Sequence, residues 1–284
     1  MDFSKAFDKV DHLGLITKLE HLGIRGPLLE WAKSFLIGRE QRVVVDGIAS
    51  KPSKVLSGVP QGTVLGPLFF LIYINDISKG LSIGTIIRLF ADDALLYRII
   101  RSQKDSEILQ KDLETLQKWE ITWKMEFHPG KCNLLRITNK LQPINFTYKI
   151  HNTPLLETDS AKYLGVVVDN KLNWKKQYSS LIKNCKGTLS FIKRNLPKVS
   201  KHIKVNCYKT LIRPKAEYAC AVWDPHHKKY INDIEKIQKS AARYVTGNYI
   251  MESGNTEINL NSLGWPTLEE RRQQTMINIF RKEG

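Results

Sequence analysis

Beyond about residue 171 the hydrophobic spacing of this chain is helical throughout, whereas before it the spacing is mixed, and that division limits what it can fold into. From Trp174 to residue 282 the apolar positions recur at helical spacing. They fall over roughly 175–195, 201–213, 228–246 and 268–282, with breaks at Pro197, Pro214, Pro225 and Gly264-Trp265-Pro266. Upstream, helical and β-forming runs alternate. Leu15, Leu19 and Leu22, then Leu28, Leu29, Trp31, Phe35 and Leu36, predict two helices separated by Gly23 and Gly26-Pro27. Arg42-Val43-Val44-Val45-Asp46-Gly47 predicts a strand entering a turn, with Lys54-Val55-Leu56 as its partner. The apolar run from Pro67 to Ile74, closed by Asn75-Asp76, predicts a buried helix. Residues 105–124 predict an amphipathic helix with Ile108, Leu109, Leu113, Leu116, Trp119 and Trp123 inward. Extended segments follow at 132–138, 146–150 and 162–169. The expected fold class is α+β, with a mixed part at residues 1–170 and an all-helical part at 171–284.

Charge divides the chain at the same place. Residues 171–250 carry 18 Lys and Arg against 4 Asp and Glu, whereas residues 1–100 carry 12 against 10. Such an asymmetry points to a polyanion met by the C-terminal part; a merely solvated basic surface is the alternative. Cys132, Cys185, Cys207 and Cys220 have no zinc or disulfide-framework spacing, so reduced thiols in an intracellular protein are expected. No apolar run approaches the roughly 20 residues that span a bilayer, and no secretory signal is visible.

Chemistry concentrates at Phe90-Ala91-Asp92-Asp93, which lies between the apolar runs Ile86-Ile87-Arg88-Leu89 and Ala94-Leu95-Leu96-Tyr97. This predicts a tight hairpin with two repelling carboxylates at its tip, a pair that adds nothing to stability but can hold divalent cations. Asp2 offers a third carboxylate. Two-metal phosphoryl transfer needs carboxylates from different elements bridging two cations, and hard oxygen donors suit Mg²⁺, with Mn²⁺ as a substitute. Taken singly, Asp2 could be a solvated residue and Asp92 a turn former.

The ordered blocks together resemble the reverse transcriptases of non-LTR retrotransposons, the jockey and CR1-like lineages especially. Residues 2–7, DFSKAF, are similar to polymerase motif A, and residues 57–67, SGVPQGTVLGP, to motif B. Residues 90–93, FADD, are similar to motif C. The stretch from Trp123 through Lys131 and Cys132 resembles motif D, and Tyr163-Leu164-Gly165 resembles motif E. Arg213-Pro214 with Glu217-Tyr218, Ala221-Val222-Trp223-Asp224 and Leu263-Gly264-Trp265-Pro266 resemble thumb segments of the same elements. The resemblance runs from the first residue to nearly the last. It implies a polymerase right hand: an antiparallel palm sheet with backing helices over 1–170, then a basic helical thumb over 171–284.

On this resemblance Asp2 and Asp92 would be the principal ligands of both metals, with Asp93 supporting and Asp8 structural or solvated. Lys131 would serve the departing pyrophosphate; alone it could be an ordinary solvated lysine. Phe7 fits a steric gate against a 2′-hydroxyl, and Gln61 with Gly62 fits a nucleotide-binding loop, although such a loop is also a common turn and helix cap. Tyr163, Leu164 and Gly165 would form the primer grip, and by themselves look like an ordinary strand. Lys183, Lys186, Lys193 and Arg194, and then Lys236, Lys239 and Arg243, would contact the phosphates of a template–primer duplex, or else form solvated faces. His12, His128 and the His226-His227 pair have no ligand-like spacing. The implied partners are an RNA template, a DNA primer and deoxynucleoside triphosphates, in the cytoplasm and nucleus. No protein partner can be named.

One residue precedes Asp2, and the family pattern places a strand and a fingers region before it. The expectation is therefore a right hand with its fingers largely missing. Its Asp2 would be held by no strand, and its unaided polymerisation would be weak or absent. A non-catalytic nucleic-acid-binding remnant of a mobile element is the alternative. An RNA-dependent RNA polymerase is disfavoured by Phe7 and by FADD in place of a Gly-Asp-Asp turn.

Overall fold

The structure, a computed structural model, is described for residues 1–250 and 254–283. The chain forms two compact units, Met1–Thr158 and Asp159–Gly284.

In the first unit, α1 (His12–His21) and α2 (Pro27–Leu36) follow a short 3₁₀ turn at Ala6–Asp8. Asp11 caps α1 by accepting the Gly14 N–H at 2.8 Å, and Pro27 starts α2 where its missing N–H is harmless. Four two-residue strands come next: β1 (Glu40–Gln41), β2 (Val44–Val45), β3 (Ile48–Ala49) and β4 (Ser53–Lys54). The partner expected for residues 42–47 is corrected here. Asp46 and Gly47 both take positive φ, and this tight turn pairs β2 with the nearer β3. The outer β1 then pairs with β4.

Helix α3 (Leu65–Ile74) buries Phe69, Phe70, Tyr73 and Ile74, but Leu68 and Leu71 are about half exposed, so it is buried on one side only. Hairpin β5 (Thr85–Phe90)–β6 (Asp93–Arg98) leads to α4 (Gln103–Trp123), which opens on a capping box between Ser102 and Asp105. Leu113, Leu116 and Trp119 of α4 are buried, while Ile108, Leu109 and Trp123 are half-buried. The core joins these three to Leu15, Leu19, Phe70, Tyr73, Phe3 and Phe127.

The extended segments expected at 132–138 and 146–150 shrink to β7 (Asn133–Leu134) and β8 (Lys149–Ile150), followed by β9 (Thr153–Pro154) and β10 (Leu156–Glu157). β10 runs parallel to β7, a departure from the all-antiparallel expectation. The excursion between them, which contains the β8–β9 hairpin, is long enough to return the chain in the same direction.

The second unit opens with hairpin β11 (Ser160–Tyr163)–β12 (Val166–Asp169) and continues through α5 (Lys175–Asn195), α6 (Lys201–Cys207), a π-helical turn at Tyr208–Ile212, α7 (Arg213–Glu217), α8 (Cys220–Trp223), α9 (Lys228–Thr246), α10 (Asn255–Ser262) and α11 (Leu268–Glu283). The β11–β12 hairpin belongs to the second unit for a local reason. Asp169 is buried and accepts the N–H groups of Lys171 and Trp174 at the start of α5, and Gln177 Oε1 accepts the Val167 N–H at 2.9 Å. The hairpin is thereby tied to α5. Val166 joins Tyr178, Leu181, Cys185, Trp223, Ile234 and Ala241 in the second core. All four cysteines are free, and burial pushes the Cys185 thiol up to about 11. Among the described residues no helix is long and apolar enough to cross a membrane.

Candidate active site

The β5–β6 hairpin turns through Ala91 and Asp92, with Ala91 at φ 51°, so that Phe90 pairs with Asp93. Residues 1–4 lie alongside in antiparallel register, held by isolated bridges rather than as a regular strand. Asp2 bridges Asp93, Met1 and Ala94 exchange backbone hydrogen bonds at 2.7 and 3.2 Å, and on the other side Phe3 bridges Phe127. There His128 N donates to Asp2 O at 2.9 Å and Ser4 N to Glu126 O at 2.7 Å. The expectation that no strand holds Asp2 is thus corrected. The two backbone partners come from segments remote in sequence, where hydrophobic period alone cannot find them.

As directly opposed residues, Asp2 and Asp93 have side chains on one face of the sheet, and like charges so placed repel. Asp2 and Asp92 are half-buried and Asp93 is exposed. The cation beside them is Lys131, whose Nζ lies 3.6 Å from Asp2 Oδ2. It is delivered by the 3₁₀ turn Pro129–Lys131, which follows immediately on the His128 bond to Asp2. Among the described residues no three His, Cys, Asp or Glu side chains converge as a metal cage. The donor set is nonetheless the right chemistry for a hard divalent cation: two facing carboxylates and a third one residue away.

Residues 57–61 clamp onto the turn after Asp2. Val59 N donates to Phe7 O at 2.9 Å, Gly58 N to Val10 O at 2.8 Å, and Ser57 Oγ to Asp8 O at 2.8 Å. The approach is so close that a Cβ on Gly58 would stand 2.8 Å from Asp8 Cα. His12 Nε2 and Arg39 Nη2 each lie 2.9 Å from Gly58 O, the ring taken as donor. Gln61 Nε2 donates to Asp8 Oδ1 at 2.9 Å, and the Phe7 ring stacks on Phe70 at 4.4 Å. Gly62, at φ 75°, has nothing within 4 Å of where its Cβ would be. A cavity of about 730 Å³ opens here, with Lys5, Asp8, Arg39, Lys54 and Gln61 in its wall.

Sequence reasoning left out several residues that organise this unit. His12 and Arg39 hold the Gly58 carbonyl. Lys18 is buried among Tyr73, Trp119 and Trp123, donates to Tyr73 O, and pairs with Asp76 at 2.5 Å. Burial pulls its pKa down, against the opposing pull of Asp76. No local signal marks a lysine in an amphipathic helix as a core residue.

In the second unit Leu164 and Gly165 take φ 44° and 82°, forming the two-residue turn of the β11–β12 hairpin, with Tyr163 opposite Val166. Tyr218 OH donates to Leu164 O at 2.8 Å, and a Cβ on Gly165 would meet its ring at 3.1 Å. Of the basic positions, Lys183, Lys186 and Arg194 are exposed on α5, while Lys193 Nζ donates to Ser240 Oγ at 3.0 Å. On α9, Lys236 pairs with Asp233 at 2.8 Å, and Lys239 and Arg243 are half-buried.

The sequence profile described as "Reverse transcriptase (RNA-dependent DNA polymerase)" matches residues 1–168. The chain is 31% identical over 257 residues to the RNA-directed DNA polymerase from mobile element jockey of Drosophila funebris, covering 87% of this chain and 28% of that protein. It is 29% identical over 254 residues to the probable RNA-directed DNA polymerase from transposon X-element of Drosophila melanogaster, covering 87% and 28% respectively. With the probable RNA-directed DNA polymerase from transposon BS of the same fly it shares 28% over 277 residues, covering 93% and 30%. It therefore spans under a third of the length of these relatives. The profile match over residues 1–168 and the alignment over 87% of the chain lead to one conclusion: the chain belongs to the reverse transcriptase family, in its non-LTR retrotransposon group.

Proposed function

We propose that this chain carries the polymerising centre of an RNA-directed DNA polymerase: it adds deoxynucleotides to a DNA primer 3′-hydroxyl on an RNA template. The observation that carries the reading is the antiparallel bridge of Asp2 to Asp93 beside Asp92, inside the region matched by the family profile. Asp2 and Asp92 would hold two Mg²⁺ ions, replaceable by Mn²⁺, with Asp93 in support. Bound there, the cations would supply activation of the primer hydroxyl and neutralisation of the triphosphate.

The protein's own groups do the rest. The Lys131 ammonium gives a proton, or its charge, to the departing pyrophosphate. Phe7, backed by Phe70, closes the space a 2′-hydroxyl would need. Gln61 and Gly62 line the nucleotide's approach, and the residue 163–165 turn holds the primer end. Lys183, Lys186, Lys193, Arg194, Lys236, Lys239 and Arg243 contact duplex phosphates without reading sequence. Residues 1–170 are then the palm and residues 171–284 the thumb, in a protein that works in the cytoplasm and nucleus.

The test is dTTP incorporation on poly(rA)·oligo(dT) with Mg²⁺. The expected result is weak but measurable incorporation by the chain alone, which Asp92→Asn lowers to background. Equal incorporation by the variant would overturn the reading.

A further inference from the structure

The buried carboxylate of Glu120 has no part in the mechanism above, yet it stands behind it. Its side chain is 3% exposed, near the end of α4. Oε1 accepts the Phe127 N–H, and Oε2 lies 2.9 Å from His151 Nε2 on the turn of the β8–β9 hairpin. Phe127 is the residue through which the first unit holds the motif A segment. Its ring stacks on Phe3 at 4.4 Å, its neighbour Glu126 accepts the Ser4 N–H, and its neighbour His128 donates to Asp2 O. Three residues beyond His128, Lys131 reaches Asp2 Oδ2. One carboxylate therefore anchors the segment that carries both the backbone donor to Asp2 O and the ammonium beside its carboxylate.

Chemistry favours a specific role. A neutral acceptor would satisfy the Phe127 N–H without the desolvation cost of a buried charge, whereas a carboxylate there needs His151 to complete its hydrogen bonding. The other charges around it are already committed: Lys9 pairs with Glu126, and Lys124 with Asp11. Loss of the Glu120 side chain leaves the buried Phe127 N–H unpaired and cuts that tie between α4 and residues 125–131, leaving the Met125 N–H bond to the Glu120 carbonyl.

We propose that Glu120, oriented by His151, is a positioning residue that sets Asp2 and Lys131 in the metal site by anchoring residues 125–131. The inference rests on reading Asp2 as a metal ligand.

The test measures Mn²⁺ affinity by EPR together with amide hydrogen exchange, on wild type, Glu120→Ala, Glu120→Gln, His151→Ala and Asp92→Asn. The expected result is that Glu120→Ala weakens Mn²⁺ binding about 10-fold or more, the usual scale for an outer-shell partner. Exchange should speed up selectively at residues 2–4 and 125–131. Glu120→Gln keeps an acceptor and should stay within about threefold of wild type, with His151→Ala between them.

If Glu120→Ala does not fold, His151→Ala decides, by the same selective exchange and weaker binding. Wild-type exchange at residues 2–4 in Glu120→Ala, or loosening spread evenly over the first unit, overturns the proposal. Mn²⁺ binding that ignores Asp92→Asn instead overturns the metal-site reading, and the exchange pattern alone then judges Glu120.

Discussion

At Gly58 the backbone of residues 57–59 touches that of residues 7 and 8, and this contact makes the proposed gate and the nucleotide loop one body. A Cβ at Gly58 would meet Asp8 Cα at 2.8 Å with φ at +89°, whereas at Gly62, φ +75°, it would meet nothing within 4 Å. Gly58→Ala combines overpacking with backbone strain and should cost about 2–5 kcal/mol; Gly62→Ala carries only the strain, about 1–2 kcal/mol. Thermal denaturation of the two variants checks the order, and equal losses would show that the loop is not clamped. Sequence makes Gln61 and Gly62 visible because the motif B block is nearly intact. It leaves Asp8 looking structural or solvated, because a hydrogen bond to a side chain 53 residues away has no local signature. His12 is invisible for the same reason: its bond is to a backbone carbonyl 46 residues on.

Helix α4 shows what is legible at the scale of an element. Its apolar period announces it plainly, and the structure gives Gln103–Trp123 against an expected 105–124. Ser102→Ala removes half the capping box and should cost about 1 kcal/mol, read as a lower denaturation midpoint. Because the cap lies at the far end of α4 from Glu120, exchange at residues 2–4 should stay at its wild-type rate. The short strands are harder to read. Strands two residues long, such as those at 44–45 and 133–134, carry no usable alternation, and their pairing follows from turns and long-range partners. The bridged stretch at residues 1–4 is the extreme case. It is formed wholly by neighbours, β6 and residues 126–128, and spacing along the chain holds no trace of either contact.

Across the whole molecule the steepest signal is charge, +16 overall and gathered mainly between residues 171 and 250. On a template–primer duplex each lost phosphate contact lowers the salt slope by about one. Replacing the exposed Lys183, Lys186 and Arg194 with Gln should reduce the slope of log K against log salt by up to about three, measured between 50 and 200 mM salt. An unchanged slope would remove the α5 face from the interface. The helical half was legible from period and charge together. The tie between the β11–β12 hairpin and α5 was not, because Asp169 and Gln177 make it through backbone groups that no period reports.

The central claim is that Asp2, held by β6 on one side and by residues 126–128 on the other, belongs to the same chemical centre as Asp92. The most direct measurement is Mg²⁺-dependent dTTP incorporation by Asp2→Asn and Asp92→Asn side by side, with duplex affinity measured on each. The account predicts that both variants bind duplex as wild type does and both lose incorporation to the same degree. An Asp2→Asn chain that keeps the wild-type rate while Asp92→Asn does not would contradict it.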